Sequence, residues 1–121
     1  MQKRSKKKAP KKKGNKFGAK KTTYNGEVYD SAKEAAYAKK LDILRRASGD
    51  DKVLKIDRQV KYDLEVNGHL ICKYVLDFKV TYPNRVEHID VKGLKKGAAY
   101  QNFRLKKKLM AAVHGVEVIE V

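Results

Sequence analysis

Cysteine is nearly missing from this sequence: Cys72 stands alone among 121 residues. A lone cysteine excludes an internal disulfide and suits a reducing compartment, so a cytoplasmic setting is expected. Neither CxxC nor HExxH is present, which removes the usual zinc frameworks, and His69, His88 and His114 are dispersed. A GxxxxGK phosphate loop is missing too. No stretch reaches the roughly 18 apolar residues of a membrane span, so no membrane partner is expected. The lysines at the start are followed by no apolar h-region, which argues against a signal peptide.

Acid is missing from one part of the chain. Residues 1–21 hold eleven Lys or Arg and no Asp or Glu, whereas residues 22–121 hold nineteen basic and fourteen acidic side chains. Before Lys16 there is no aromatic residue and almost nothing apolar. Residues 1–21 are therefore expected to be a disordered basic arm, with residues 22–121 as one domain. Lys11, Lys12 and Lys13 are candidate phosphate contacts, because lysines release the counterions condensed on nucleic acid. That term carries no sequence information, and solubility or localisation are competing roles for such an arm.

The rest of the chain is rich in turn and strand signals. Thr22–Tyr29 reads as a short hairpin about Asn25-Gly26, the favoured type I′ pair. A helix is predicted from about Ala32 to Ala47, with Ser31 as its N-cap, Gly49 just past its end, and Tyr37, Ala38, Leu41 and Leu44 as its apolar stripe. Three strands follow, at about 59–66, 70–80 and 86–92, joined by turns at Asn67-Gly68 and Pro83-Asn84. A second helix is expected over about 98–113, with Leu105, Leu109 and Ala112 on one side, then a last strand at 116–121. The order α-β-β-β-α-β implies an α/β fold: an antiparallel meander extended by a right-handed crossover into a mixed sheet flanked by helices.

Acids in apolar surroundings stand out on this framework. Asp77 lies between Leu76 and Phe78, and Asp90 between Ile89 and Val91, although aspartate is depleted in strands. If Pro83-Asn84 centres the hairpin, Asp77 falls opposite Asp90, with Cβ atoms about 4.5–5.5 Å apart. Two such carboxylates repel each other unless a cation sits between them. Lys92 shares the face of Asp90, since strand side chains alternate. Glu34 lies on the apolar side of the first helix. Together they suit Mg²⁺ or Mn²⁺, hard cations that take carboxylate and water oxygens. A metal there would polarise a phosphoryl oxygen, and a neighbouring lysine would orient water or offset developing charge. Other roles compete. Ser31-Ala32-Lys33-Glu34 is a capping box in which Glu34 would bond the Ser31 amide. Asp77 could pair with Arg58 or Lys79, and Lys92 could be an ordinary strand-end lysine.

Glu on the first helix, Asp on a strand, then Asp-x-Lys on the next strand resembles the signature of the PD-(D/E)xK nuclease superfamily. The predicted element order resembles its restriction-endonuclease-like core. Asn15–Lys20, Tyr24-Asn25-Gly26, Asp30-Ser31-x-x-Glu34, Leu76-Asp77-Phe78 and Asp90-Val91-Lys92-Gly93 are similar to a family of small phage and prophage proteins placed among these nucleases. Leu76 stands where the superfamily motif has proline. The resemblance spans about residues 15–121. It implies metal-dependent cleavage of DNA in a host cytoplasm, with Asp77 and Asp90 as metal ligands. It further implies Glu34 as a direct or outer ligand and Lys92 as the catalytic lysine. Gln59 would lie near the site, and Arg104, Lys106, Lys107 and Lys108 could follow DNA phosphates. Small phage members resemble Holliday-junction resolvases, and one site per chain implies a homodimer if two strands are cut. A catalytically inactive DNA-binding or packaging protein and an RNA- or ribosome-associated protein are the rival readings.

Overall fold

The computed structural model describes residues 20–121, so Lys11, Lys12, Lys13 and most of the basic arm lie outside the described residues. Strands β1 (Thr22–Tyr24) and β2 (Glu27–Tyr29) form the expected hairpin. Asn25 and Gly26 both take positive φ, 54° and 82°, as a type I′ turn requires. Helix α1 (Ala32–Leu44) follows, with the Ser31 hydroxyl accepting the Glu34 amide at 3.1 Å. It stops three residues short of the predicted end. Arg45, Arg46 and Ala47 each bond the carbonyl three residues back, so the last turn tightens out of α geometry.

A four-stranded mixed sheet carries the rest, in the order β3 (Lys55–Val66), β4 (His69–Thr81), β5 (Val86–Asp90), β6 (Val118–Glu120). The first three strands are antiparallel, and β6 runs parallel to β5. Between those two lies helix α2 (Ala98–Leu109), continued by a π-helical turn at Met110–His114 that ends on left-handed Gly115. Strand β3 begins four residues earlier than predicted, because Lys55 to Arg58 pair with Thr81 to Phe78 despite their charges. Strand β5 ends at Asp90 instead of Lys92, yet the Lys92 amide still bonds the Val121 carbonyl at 3.0 Å. Among the described residues no helix is long and apolar enough to cross a membrane.

The core has two parts. Ala35, Ala38 and Leu41 of α1 pack with Phe78, Val80, Ile89 and Tyr29. Phe103 and Met110 pack with Leu64, Tyr74, Leu76 and Val118. The expected stripe on the second helix is therefore corrected: Leu105 is 59% exposed and Ala112 is also exposed. The π turn adds a residue to the helical repeat and brings Met110 inward.

The two helices lie on opposite faces of the sheet. Phe78 pairs with Ile89 in the α1 cluster, while Val118, in the α2 cluster, pairs with His88. His88 and Ile89 are consecutive, so they point to opposite faces. Leu76 and Phe78 are two residues apart and would share a face on an unbroken strand, yet they belong to different clusters. The face thus switches between them. The pairs Arg58–Phe78 and Val60–Leu76 flank the switch, placing Gln59 across from Asp77. Gln59 has φ 52°, the left-handed conformation that a regular strand cannot hold.

Candidate functional site

Asp77 occupies the switch on β4, and the ladder from Thr81–Val86 to Phe78–Ile89 leads directly to it and Asp90. The opposition expected from the Pro83-Asn84 turn is therefore what the register places there. One Asp77 oxygen accepts the Val91 amide at 2.9 Å, so the side chain spans the gap between β4 and β5 just where their ladder stops. Burial, then the charge and hydrogen bonding of Asp90, then the charge of Glu34 push the Asp77 carboxyl up to about 8; the Val91 amide offsets a little of this.

Asp90 is 4% exposed, and both its oxygens have partners. Lys92 Nζ lies 3.1 Å from Oδ1, and the Tyr74 hydroxyl donates to Oδ2. Burial and then the Asp90 charge hold the Tyr74 phenol far above its usual range, so it stays a donor. Lys92 Nζ also sits 3.8 Å from the centre of the Phe103 ring, a cation–π contact that fixes the ammonium between aromatic and carboxylate. Lys33 Nζ donates to the Lys92 carbonyl at 2.6 Å and ties this strand end to the first turn of α1.

Glu34 is also 4% exposed. Its amide takes the Ser31 cap, but its carboxylate accepts from Gln59 Nε2 at 3.3 Å. Only half of the expected capping box is therefore present. The left-handed turn at Gln59 aims its amide at α1, so Gln59 joins the site through Glu34. Burial and the charge of Asp30 raise the Glu34 pKa, and the Arg58 guanidinium, 4.0 Å away, lowers it. Arg58 bonds Glu27 at 2.8 Å and lies 3.8 Å over the Tyr29 ring. It is thus engaged on the hairpin side, and the Arg58–Asp77 pairing considered above is not made.

Asp77, Asp90 and Lys92 come together directly, with Glu34 and Gln59 beside them. Among the described residues, no group of three or more His, Cys, Asp and Glu side chains forms a metal-binding arrangement. Asp77 and Asp90 alone nonetheless offer the hard-oxygen donors that Mg²⁺ uses, since that ion often takes one or two carboxylates and fills its shell with water and substrate phosphate. Burial is the first cause of the raised Asp77 carboxyl and the Asp90 charge the second, and a cation there would relieve the second. His88 shares the parity of Asp90 but makes no bond to it, and burial lowers its pKa.

The basic residues of α2 do not form one surface. Arg104, Lys107 and Lys108 line a hollow with Tyr100 and Glu120, and Lys106 lies outside it. Lys107 is committed to Glu120 at 2.9 Å, and that bond is the main reason the Glu120 carboxyl titrates low. Arg104 and Lys108 are exposed.

Sequence reasoning missed Tyr74, Lys33 and Phe103. Only Tyr74 had a local signal: it precedes Leu76 by two residues on an apolar strand face, and a buried phenol needs a partner. The fold and this cluster define a small α/β domain with a buried aspartate, a half-buried aspartate beside it and an adjoining lysine. The chain belongs to the family described as "Protein of unknown function (DUF1064)", which matches residues 14–118. No match was found among curated proteins or among solved structures.

Proposed function

We propose that this protein is a metal-dependent endodeoxyribonuclease of the PD-(D/E)xK type. The observation that carries the reading is half-buried Asp77 set beside buried Asp90, with Lys92 Nζ 3.1 Å from Asp90. Burial first, and the neighbouring Asp90 charge second, hold the Asp77 carboxyl up, and a strongly shifted carboxylate beside a second one supports a functional over a structural role. The element order α-β-β-β-α-β, with β6 parallel to β5, agrees with the core of that superfamily.

Asp77 and Asp90 would hold Mg²⁺ or Mn²⁺, with Glu34 supporting through the Gln59 side. When bound, the metal supplies Lewis-acid activation of the phosphate and of water. Lys92, held by Phe103 and Asp90, presents a positive charge beside the position of a scissile phosphate. Tyr74 fixes the orientation of Asp90. The net charge of +16 draws the duplex in at low salt, and the arm adds affinity on all sequences alike. Branched or junction DNA is the proposed substrate, cut by two copies acting together, one strand each.

The test is incubation of the purified chain with supercoiled plasmid and a synthetic four-way junction. Nicking should require Mg²⁺ or Mn²⁺ and stop with EDTA, and Asp90→Asn should lose cleavage while retaining DNA binding. Full activity in EDTA would sink the metal mechanism. A second reading has its own support: Lys92 and Tyr74 already satisfy both oxygens of Asp90, as in a DNA-binding protein that keeps the fold without the reaction. Binding without cleavage on every DNA form would favour it.

A further inference from the structure

Among the described residues, five glycines and three other residues hold a positive φ, and two of those three are Asn25 and Asn67. Glycine and asparagine are the residues that tolerate this backbone. The asparagines close the two hairpins, and the glycines sit in turns or at helix ends. Gln59 is the exception on both counts. It stands inside strand β3, at φ 52°, and it carries a long side chain.

The core does not ask for that choice. Gln59 is exposed, so packing demands no side chain at this position. Glycine would take the conformation without penalty, and asparagine nearly so. What neither supplies is reach. Gln59 Nε2 lies 3.3 Å from Glu34 Oε2, closer than the Arg58 guanidinium at 4.0 Å. Arg58 is divided between Glu27, the Val28 carbonyl and the Tyr29 ring. The Gln59 amide thus crosses from the strand to α1 and meets a carboxylate that is buried. Residues held in sparsely populated backbone conformations cluster at functional sites.

We propose that Gln59 is a positioning residue: its positive φ is kept, at the expense of stability, so that its amide holds the Glu34 carboxylate beside Asp77 and Asp90. The register gives the reason for the place. Gln59 lies across from Asp77, between the pairs Arg58–Phe78 and Val60–Leu76. The break that takes Asp77 out of the ladder therefore also turns the amide toward Glu34. The chemistry gives the reason for the residue. An amide donates N–H bonds without carrying charge, so it orients Glu34 and leaves its charge available to a cation, whereas a lysine would cancel that charge. The inference rests on the nuclease reading, in which Glu34 supports a metal at Asp77 and Asp90. It adds that stability and metal affinity oppose each other at residue 59.

The test compares Gln59→Gly, Gln59→Asn and Gln59→Ala in the full chain by two measurements: melting in metal-free buffer and Mn²⁺ affinity by calorimetric titration. All three lack the reach, so each should bind Mn²⁺ about 10–100-fold more weakly than wild type, the worth of a partner that orients a metal ligand. Their stabilities should diverge. Gln59→Gly should melt at or above the wild-type midpoint, and Gln59→Asn close to it. Gln59→Ala should melt below Gln59→Gly, the reverse of the order in a regular strand, where glycine is the weaker residue. A Gln59→Gly chain that binds Mn²⁺ as wild type does overturns the inference. So does one that melts as low as Gln59→Ala, since Gln59 would then be an ordinary strand residue. A wild-type chain that takes up no Mn²⁺ overturns the nuclease reading and this inference together, a result that no outcome among the variants can imitate.

Discussion

The half of the sheet beneath α1 and the half beneath α2 are held by different chemistry. Beneath α2 the contacts are apolar: Leu64, Leu76, Met110 and Val118 are at most 2% exposed. Beneath α1 an aromatic and aliphatic core is edged by polar devices. Arg58 reaches Glu27, Glu34 and the Tyr29 ring, and the Tyr24 hydroxyl donates to Asp42 at 2.9 Å. The candidate site lies on the seam, at Asp77 and Gln59, where one cluster gives way to the other. A strand must lose its regular ladder there to change faces, and the lost ladder bonds leave room for carboxylates. The difference teaches that the seam lets a half-buried Asp77 find the Val91 amide while the buried Asp90 beside it relies on the side chains of Tyr74 and Lys92.

The apolar half should break hardest. Leu76→Ala is expected to cost about 2–5 kcal/mol, the loss typical of a buried leucine whose surroundings cannot collapse. Urea unfolding measures it, and a loss below that range would mean that the α2 cluster is loosely packed.

The polar edge should break less. Arg58→Ala removes the cation nearest Glu34 and should cost about 1–3 kcal/mol, the penalty for leaving a buried polar group short of a partner. Without Arg58 the Glu34 carboxyl is held higher still, so this variant should lose more stability than wild type as pH rises. Melts at pH 5 and pH 8 would show it, and equal losses at both would contradict the role given to Arg58.

At the seam itself the expected signal is a slope with pH. Asp77 is held at about 8 against an ordinary 3.8. The folded chain therefore keeps a proton that the unfolded chain gives up between those values, and stability falls as pH rises through that window. Asp77→Asn should flatten the fall in metal-free buffer and leave the variant the more stable form at pH 8. Parallel slopes for variant and wild type would show that Asp77 ionises normally.

The smallest effect on stability is expected from Glu34→Gln. The Ser31 cap bonds the backbone amide of residue 34, and a glutamine oxygen can still accept from Gln59. Stability should stay within about 1 kcal/mol of wild type. Cleavage should nevertheless fall by about 10–100-fold, the usual worth of a residue that supports a metal ligand. A variant that cuts at the wild-type rate would reduce Glu34 to a helix-start residue.

Local signals made much of this legible. Asn-Gly pairs named two hairpins, and the Pro83-Asn84 turn gave the register that opposes Asp77 and Asp90. The element order and the convergence of Asp77, Asp90 and Lys92 followed from those turns. Period-two reasoning fails where a strand stops being regular, and so the face switch at Gln59 and Asp77 left no trace in the pattern. The π turn likewise hid Met110 and Phe103 behind a stripe of leucines. The hydroxyl of Tyr74 finds its acceptor on another strand, a pairing set only by the finished fold.

The parallel pairing of β5 with β6 bears on how the molecule assembles. Strands β3, β4 and β5 are joined by tight turns and can zip together through contacts close in sequence. Strand β6 must wait for α2 to cross the sheet, and closing that long loop is the slower kind of event. The Lys92 amide meets the Val121 carbonyl, and the Val121 amide meets the Asp90 carbonyl, each at 3.0 Å. The strand bearing Asp90 and Lys92 is thus clamped from its second side only at the close of folding, so a nascent chain completes the candidate site last.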